Sequence, residues 1–177
     1  MQKQFAILVL LLFAFNLNSS AAEKKMHACT LLNSSEIHSA LGGTVGQSQE
    51  SDIVITEGPS KGETMGACMW PVDDQSMVTV NIIPAVKGPE RSKAIAQLNQ
   101  VFEDLKGQGW TEEKKEITNG KCSILTPPKG QDDLPLSTGC IAEAKGMGIS
   151  VGWLSGKKKV GIEKIKPLLD KVIGRLR

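Results

Sequence analysis

The sequence predicts an α+β domain: a mostly antiparallel sheet packed by two longer amphipathic helices and one short N-terminal helix, stapled by two disulfides. Three observations predict it. Val78, Val80 and Ile82, and again Ile149, Val151 and Trp153, recur at the two-residue period of a half-buried strand. Ile162, Ile165, Leu169, Val172 and Leu176 recur at helical spacing among lysines and acids. Four cysteines, an even number, follow a leader that directs export. A sheet with helices laid on it is the layered arrangement that buries both apolar patterns.

Met1 and Lys3 supply positive charge, Phe5 to Phe15 is almost wholly apolar, and a polar stretch ends in Ser20-Ala21-Ala22. That order is a signal peptide over residues 1–22, with small residues three before and one before a cut between Ala22 and Glu23. The apolar run is about half the roughly 20 residues of a bilayer-spanning helix, so stable membrane insertion after cleavage is not expected. A lipid anchor needs a cysteine directly after the apolar run, and Cys29 lies beyond the charged Glu23-Lys24-Lys25.

Removing the leader takes only Lys3 from the formal net charge of +2 and leaves +1. No concentrated basic face with aromatic stacking groups is present and tyrosine is absent, so nucleic acid is not expected as a partner. Lys157-Lys158-Lys159, the one basic run, reads as a solvated loop or helix start. The remaining residues, 23–177, are about 155 in number and suit a single domain with one core. Its expected location is periplasmic or secreted.

Asn33-Ser34-Ser35-Glu36 is a capping box, with Leu32 and Ile37 as its hydrophobic staple. The short helix it opens carries Ile37, Ala40 and Leu41 as a stripe and stops at Gly42-Gly43. His38 lies beside the stripe, as an exposed helix histidine with no role. In the polar stretch 44–64 only Ile53-Val54-Ile55 has strand character. Ala67-Cys68-Met69-Trp70 and Met77 to Ile83 are antiparallel strands joined through Pro71 to Ser76.

Pro89 opens a second helix to Lys106, with Ile95, Leu98, Phe102 and Leu105 on one side and Gly107 closing it. Trp110–Ile117, Cys122–Leu125, Cys140–Ala144 and Gly148–Leu154 are strands, the last pair turning at Gly146-Met147-Gly148. The last helix covers Val160 to Leu176. Pro167 either kinks it or sits in the first turn of a regular part that starts near Lys166.

Cys29, Cys68, Cys122 and Cys140 allow three pairings. Sequential pairing, Cys29 with Cys68 and Cys122 with Cys140, joins the start of each half of the chain to a strand in the same half. The bridges are structural, because there is no Cys-x-x-Cys and no zinc ligand spacing. In the competing reading, Met26-His27-Ala28-Cys29, with Met65, Met69, Met77 and Met147, handles copper through soft ligands. It requires a reduced Cys29 or a site of His27 and methionines alone. Asp73-Asp74 and Asp132-Asp133 are acidic loop pairs without the spacing of a calcium loop, and turn chemistry accounts for them.

Cys29-Thr30-Leu31-Leu32 running into Glu36-Ile37 and Ala40-Leu41-Gly42, the Cys68-Met69-Trp70 strand and the amphipathic terminal helix resemble a family of bacterial cell-envelope proteins. Most of these are lipoproteins, and their common domain has no assigned function. The resemblance implies an envelope-located α+β domain and pairing of Cys29 with Cys68. The chain departs from the family in lacking a lipobox cysteine, and no catalytic residue comes with the likeness.

No catalytic constellation is legible. Gly152-Trp153-Leu154-Ser155-Gly156 is not the Gly-x-Ser-x-Gly of a nucleophile elbow, and no phosphate-binding glycine loop occurs. A hydrolytic triad would need His38 and distant partners. The expected function is therefore a non-catalytic envelope module, without cofactor, that binds a protein partner or a small apolar ligand. Of the three tryptophans, Trp70 and Trp153 share strands with apolar neighbours and belong in the core. Trp110, after Gly107-Gln108-Gly109, is the one expected to be partly exposed and to contact a ligand or partner.

Overall fold

The computed structural model describes residues 27–56, 61–84, 89–131 and 133–176. The predicted leader, its cleavage point, Met26 and Asp132 lie outside these residues. A 3-10 turn at Ala28–Thr30 leads into helix α1 (Ser34–Leu41) and strands β1 (Gln49–Val54), β2 (Thr64–Val72) and β3 (Ser76–Pro84). Helix α2 (Pro89–Gly107) precedes β4 (Thr111–Ile117), β5 (Gly120–Thr126), β6 (Leu136–Ala144) and β7 (Met147–Ser155), and helix α3 (Ile162–Arg175) ends the chain.

The strands form one sheet in the order β1-β2-β3-β7-β6-β5-β4, antiparallel throughout. Two meanders, β1 to β3 and β4 to β7, meet along β3 and β7. Strand β3 therefore ends in the middle of the sheet while β4 begins at its far edge, and α2 makes that crossing. The sheet outweighs the helices, so the α+β expectation holds in its coarser form: an antiparallel sheet, three helices and two disulfides among the described residues.

The first face of the sheet carries the main core. Strand alternation sends Cys68, Trp70 and Val72, Val78, Val80 and Ile82, and Ile149, Val151 and Trp153 to that side, all buried. Helix α3 lays Ile165, Leu168, Leu169 and Val172 on them, and α1 adds Ile37 and Leu41. At the rough rate of 1.5–3 kcal/mol per fully buried large apolar side chain, this layer is the principal stabilising term. Buried polar groups are satisfied at its margin: the Thr138 hydroxyl donates to the Val160 carbonyl at 2.6 Å, and the Trp153 indole N–H to the Lys158 carbonyl at 3.0 Å.

Register places both disulfides in this layer. Cys68, Val80, Val151, Cys140 and Cys122 are successive partners across five strands. Cys122 bonds Cys140 across the β5–β6 pair, and Cys68 bonds Cys29 of the 3-10 turn, as sequential pairing requires. One bridge thus locks two neighbouring strands, and the other pins the N-terminal turn beneath β2.

Several local expectations are corrected. The β1 strand reaches back to Gln49, although its residues Gln49 to Ser51 are polar, because pairing with β2 supplies the backbone partners. Helix α2 closes at Gly109 rather than Gly107: Gly109 has φ 87°, its N–H donates to the Lys106 carbonyl, and the Trp110 N–H donates to the Leu105 carbonyl. That pair of bonds is a Schellman motif, with Gly109 in the left-handed position. The last hairpin turns at Lys145-Gly146, with φ 52° and 76°, so Met147 and Gly148 belong to β7.

In α3 the helix starts at Ile162 and runs through Pro167, so its regular part does not begin near Lys166. Pro167 and Glu163 lie on the exposed side, where water can take the carbonyl that the proline nitrogen leaves unbonded. The capping box holds as expected: the Asn33 side chain accepts from the Glu36 N–H, and Glu36 accepts from the Asn33 N–H. The side chains of Ile95 and Leu98 fall outside what the structure describes.

Candidate functional site

The two faces of the sheet are not equivalent. The first is sealed by α1, α3 and the N-terminal turn. On the second, Met69, Thr79, Gly152, Gly139 and Ser123 are successive register partners from β2 to β5, and all are half-buried. The adjacent row runs Ala67, Asn81, Ser150, Ile141 and Lys121. The Asn81 amide donates to the Ser150 hydroxyl at 3.1 Å. Small side chains thus make a shallow floor across the middle strands, with Met69, Ile141 and Leu154 as apolar borders.

One end of this floor has walls. Phe102 of α2, Trp110 and Leu125 of β5 form a second buried cluster, with Leu105 and Leu134 packed against it. Lys121, half-buried on β5, holds its ammonium 4.4 Å from the Phe102 ring centre. Burial pushes the Lys121 pKa down, with partial compensation from Glu112 and Glu116. One carboxylate oxygen of Glu112, Oε1, is buried with no hydrogen-bond partner.

Trp110, the one candidate contact residue, is a correction: it is 7 % exposed rather than open to solvent. The Schellman closure of α2 reverses the chain and folds the indole back beside Leu105, the apolar pairing that usually accompanies this motif. Gly109 followed by an apolar residue was the sequence signal for it. Trp70 and Trp153 are in the core as expected.

A second polar centre lies on the first side, where α1 meets α3. Glu36 receives Arg175 through both oxygens at 2.7 Å and Lys171 at 3.0 Å, while also closing the capping box. Arg175 also donates to the Leu31 carbonyl at 2.8 Å. Hydrogen bonding from Arg175, then from Lys171 and the Asn33 N–H, holds the Glu36 pKa at about 2 against burial, which opposes it. This centre ties the two ends of the described chain together and is structural.

Met26 of the soft-ligand alternative lies outside the described residues, and its other members have separate surroundings. Cys29 is committed to its bridge, and the His27 ring nitrogen Nδ1 faces the Glu50 carboxylate at 3.1 Å. Met65 is buried on β2 while Met77 is exposed at the start of β3. Asp73 serves its turn, accepting from the Thr44 N–H at 2.8 Å, and Asp74 is exposed in the same turn. Among the described residues no group of three or more His, Cys, Asp or Glu gathers as a metal site. His38 is exposed on α1, its Nδ1 against the Gly43 carbonyl at 2.7 Å. No described helix is long and apolar enough to cross a membrane.

The fold and its bridges define the class: a disulfide-stapled, mostly-sheet domain of the kind that persists in oxidising compartments. A solved structure, the extracellular domain of PknH from Mycobacterium tuberculosis, is similar to it with a TM-score of 0.54 and 12 % identity, over 82 % of this chain and 92 % of that chain. At that identity the likeness establishes a shared fold. No family model and no curated protein matches the sequence.

Proposed function

We propose that this is an exported, non-catalytic binding module of the cell envelope, and that its binding surface is the second face of the sheet. The observation that carries the reading is the asymmetry of the two faces. The first is covered by two helices, while on the second the row Met69, Thr79, Gly152, Gly139 and Ser123, with Ser150, Ile141 and Leu154 beside it, is half-buried, next to Ala67 and Asn81, which are buried. Such a floor admits the close approach of an apolar body, and hydrogen-bonding groups at Thr79, Ser123 and Ser150 orient it, the usual composition of a small-molecule site. A leader on residues 1–22 and two disulfides support export. The absence of a nucleophile–base pair among the described side chains supports a binding role over catalysis.

The test is an amide and methyl NMR titration of the mature chain with short single-chain alcohols and alkyl glycosides. Shifts concentrated at Met69, Thr79, Gly139, Ile141 and Gly152 are expected. Shifts absent there, or spread over the first face, overturn the assignment.

A further inference from the structure

Resting on that reading, we propose that the second face takes a monomeric single-chain amphiphile with an anionic head, and that Lys121 anchors the head. The geometry around Lys121 is unbalanced. Its partner in register on β4 is Glu116, whose carboxylate lies instead 3.6 Å from Lys114. On α2, Lys106 has Glu103 at 2.7 Å. Among the described residues no carboxylate lies within the 4.0 Å ion-pair distance of the Lys121 ammonium, which has only the Phe102 ring.

A ring face compensates a half-desolvated cation only in part. Glu112, the remaining carboxylate nearby, is also incompletely satisfied, since its Oε1 is buried without a partner. The two unsatisfied groups differ in access. Lys121 is half-exposed and that Glu112 oxygen is closed to solvent, so an incoming charged group meets the cation first.

Lys121 lies beside Ile141 and two residues from Ser123, at the Phe102 end of the small-residue floor. A ligand whose head sits on the Lys121 ammonium therefore has its chain directed along the Gly139–Gly152 row. The head chemistry is that of a carboxylate or a phosphate monoester. A single unpaired lysine among neighbours that already have partners favours a free molecule over a bilayer surface, which takes clusters of basic residues.

The test uses decanoate below its micellar range, with 1-decanol as the uncharged counterpart, and calorimetry or NMR on the mature chain. Wild type is compared with Lys121→Met, which keeps the apolar stem over Phe102, and with Lys121→Arg, which keeps the charge. Decanoate is expected to bind wild type and Lys121→Arg within a few-fold of each other and Lys121→Met about tenfold more weakly, the loss of one charge-assisted hydrogen bond. Decanol binding should be the same in all three, and circular dichroism should report the same fold.

Equal decanoate binding by wild type and Lys121→Met overturns the anchor and leaves the apolar surface standing. Decanol binding without decanoate does the same. Failure of both compounds on wild type removes the surface reading together with the anchor. Binding to phosphatidylglycerol vesicles without binding of monomeric decanoate overturns the free-ligand source.

Discussion

Replacing Glu36 by glutamine separates two things this residue does. Glutamine still accepts the Asn33 N–H and keeps the capping box, but it loses the charge that receives Arg175 and Lys171. The Glu36 pKa falls from 4.5 to about 2 on folding, which at about 1.4 kcal/mol per unit sets an upper bound of roughly 3.5 kcal/mol. The Glu36 side chain is 12 % exposed, but those of Arg175 and Lys171 are 41 % and 50 % exposed, so screening reduces this to about 1–2 kcal/mol.

The sign follows from the direction of the shift. A carboxylate whose folded pKa is lowered stabilises fully above its unfolded value, and that contribution is lost as pH falls from about 4.5 toward 2. Thermal unfolding followed by circular dichroism should show Glu36→Gln melting about 3–6 °C below wild type at pH 7, with the two curves converging near pH 2. High salt should narrow the gap at pH 7. A gap of the same size at pH 7 and pH 2 would mean that glutamine fails through packing or capping and would refute the ion-pair account. No gap at pH 7 would refute it equally.

Other expectations concern the sheet and its bridges. A Cβ at Gly120 would lie 1.9 Å from the Ile141 carbonyl oxygen and 2.7 Å from the Ala142 Cα; Gly120→Ala must push β5 from β6 and should cost about 3 kcal/mol or more in denaturant unfolding. Trp153→Phe removes the indole donor from the Lys158 carbonyl while filling most of the space, so a loss of about 1–3 kcal/mol is expected, against 3–5 kcal/mol for Trp153→Ala. Replacing Cys29 and Cys68 together by alanine should lower stability by about 2–5 kcal/mol. Peptide mapping of that variant should show protease cleavage first appearing near the 3-10 turn, and uniform resistance there would count against the bridge as its anchor.

Much of the first face was readable in one dimension. The alternation of Val78, Val80 and Ile82, the helical repeat of Ile165, Leu169 and Val172, and the Asn33–Glu36 capping box are all set by residues within one or two turns of chain. Each expresses a local periodicity or a local hydrogen bond, and those do not depend on what the element later packs against. Cysteine pairing was narrowed for the related reason that four cysteines leave few choices. The turn at Lys145-Gly146 and the close of α2 at Gly109 were written locally as well, but several glycines competed for each role and only the backbone conformation separated them.

The neighbours across the sheet belonged to the tertiary structure alone. Nothing in the pattern of β3 says that it pairs with β7, because alternation assigns a side chain to a face and says nothing of the adjoining strand. That pairing makes the five-strand row from Cys68 to Cys122, and it makes the small-residue floor on the other side. Glu36 and Arg175, separated by nearly the whole domain, become partners only when α1 and α3 lie on the same core. Lys121 carried no signal among so many lysines, since what distinguishes it is the Phe102 ring above it and the carboxylates turned elsewhere. Sequence determined which faces are apolar and that four cysteines were there to be paired; the assembled sheet decided which of them meet and which face keeps its residues half-buried, because contact and exposure depend on what lies beside and above a residue.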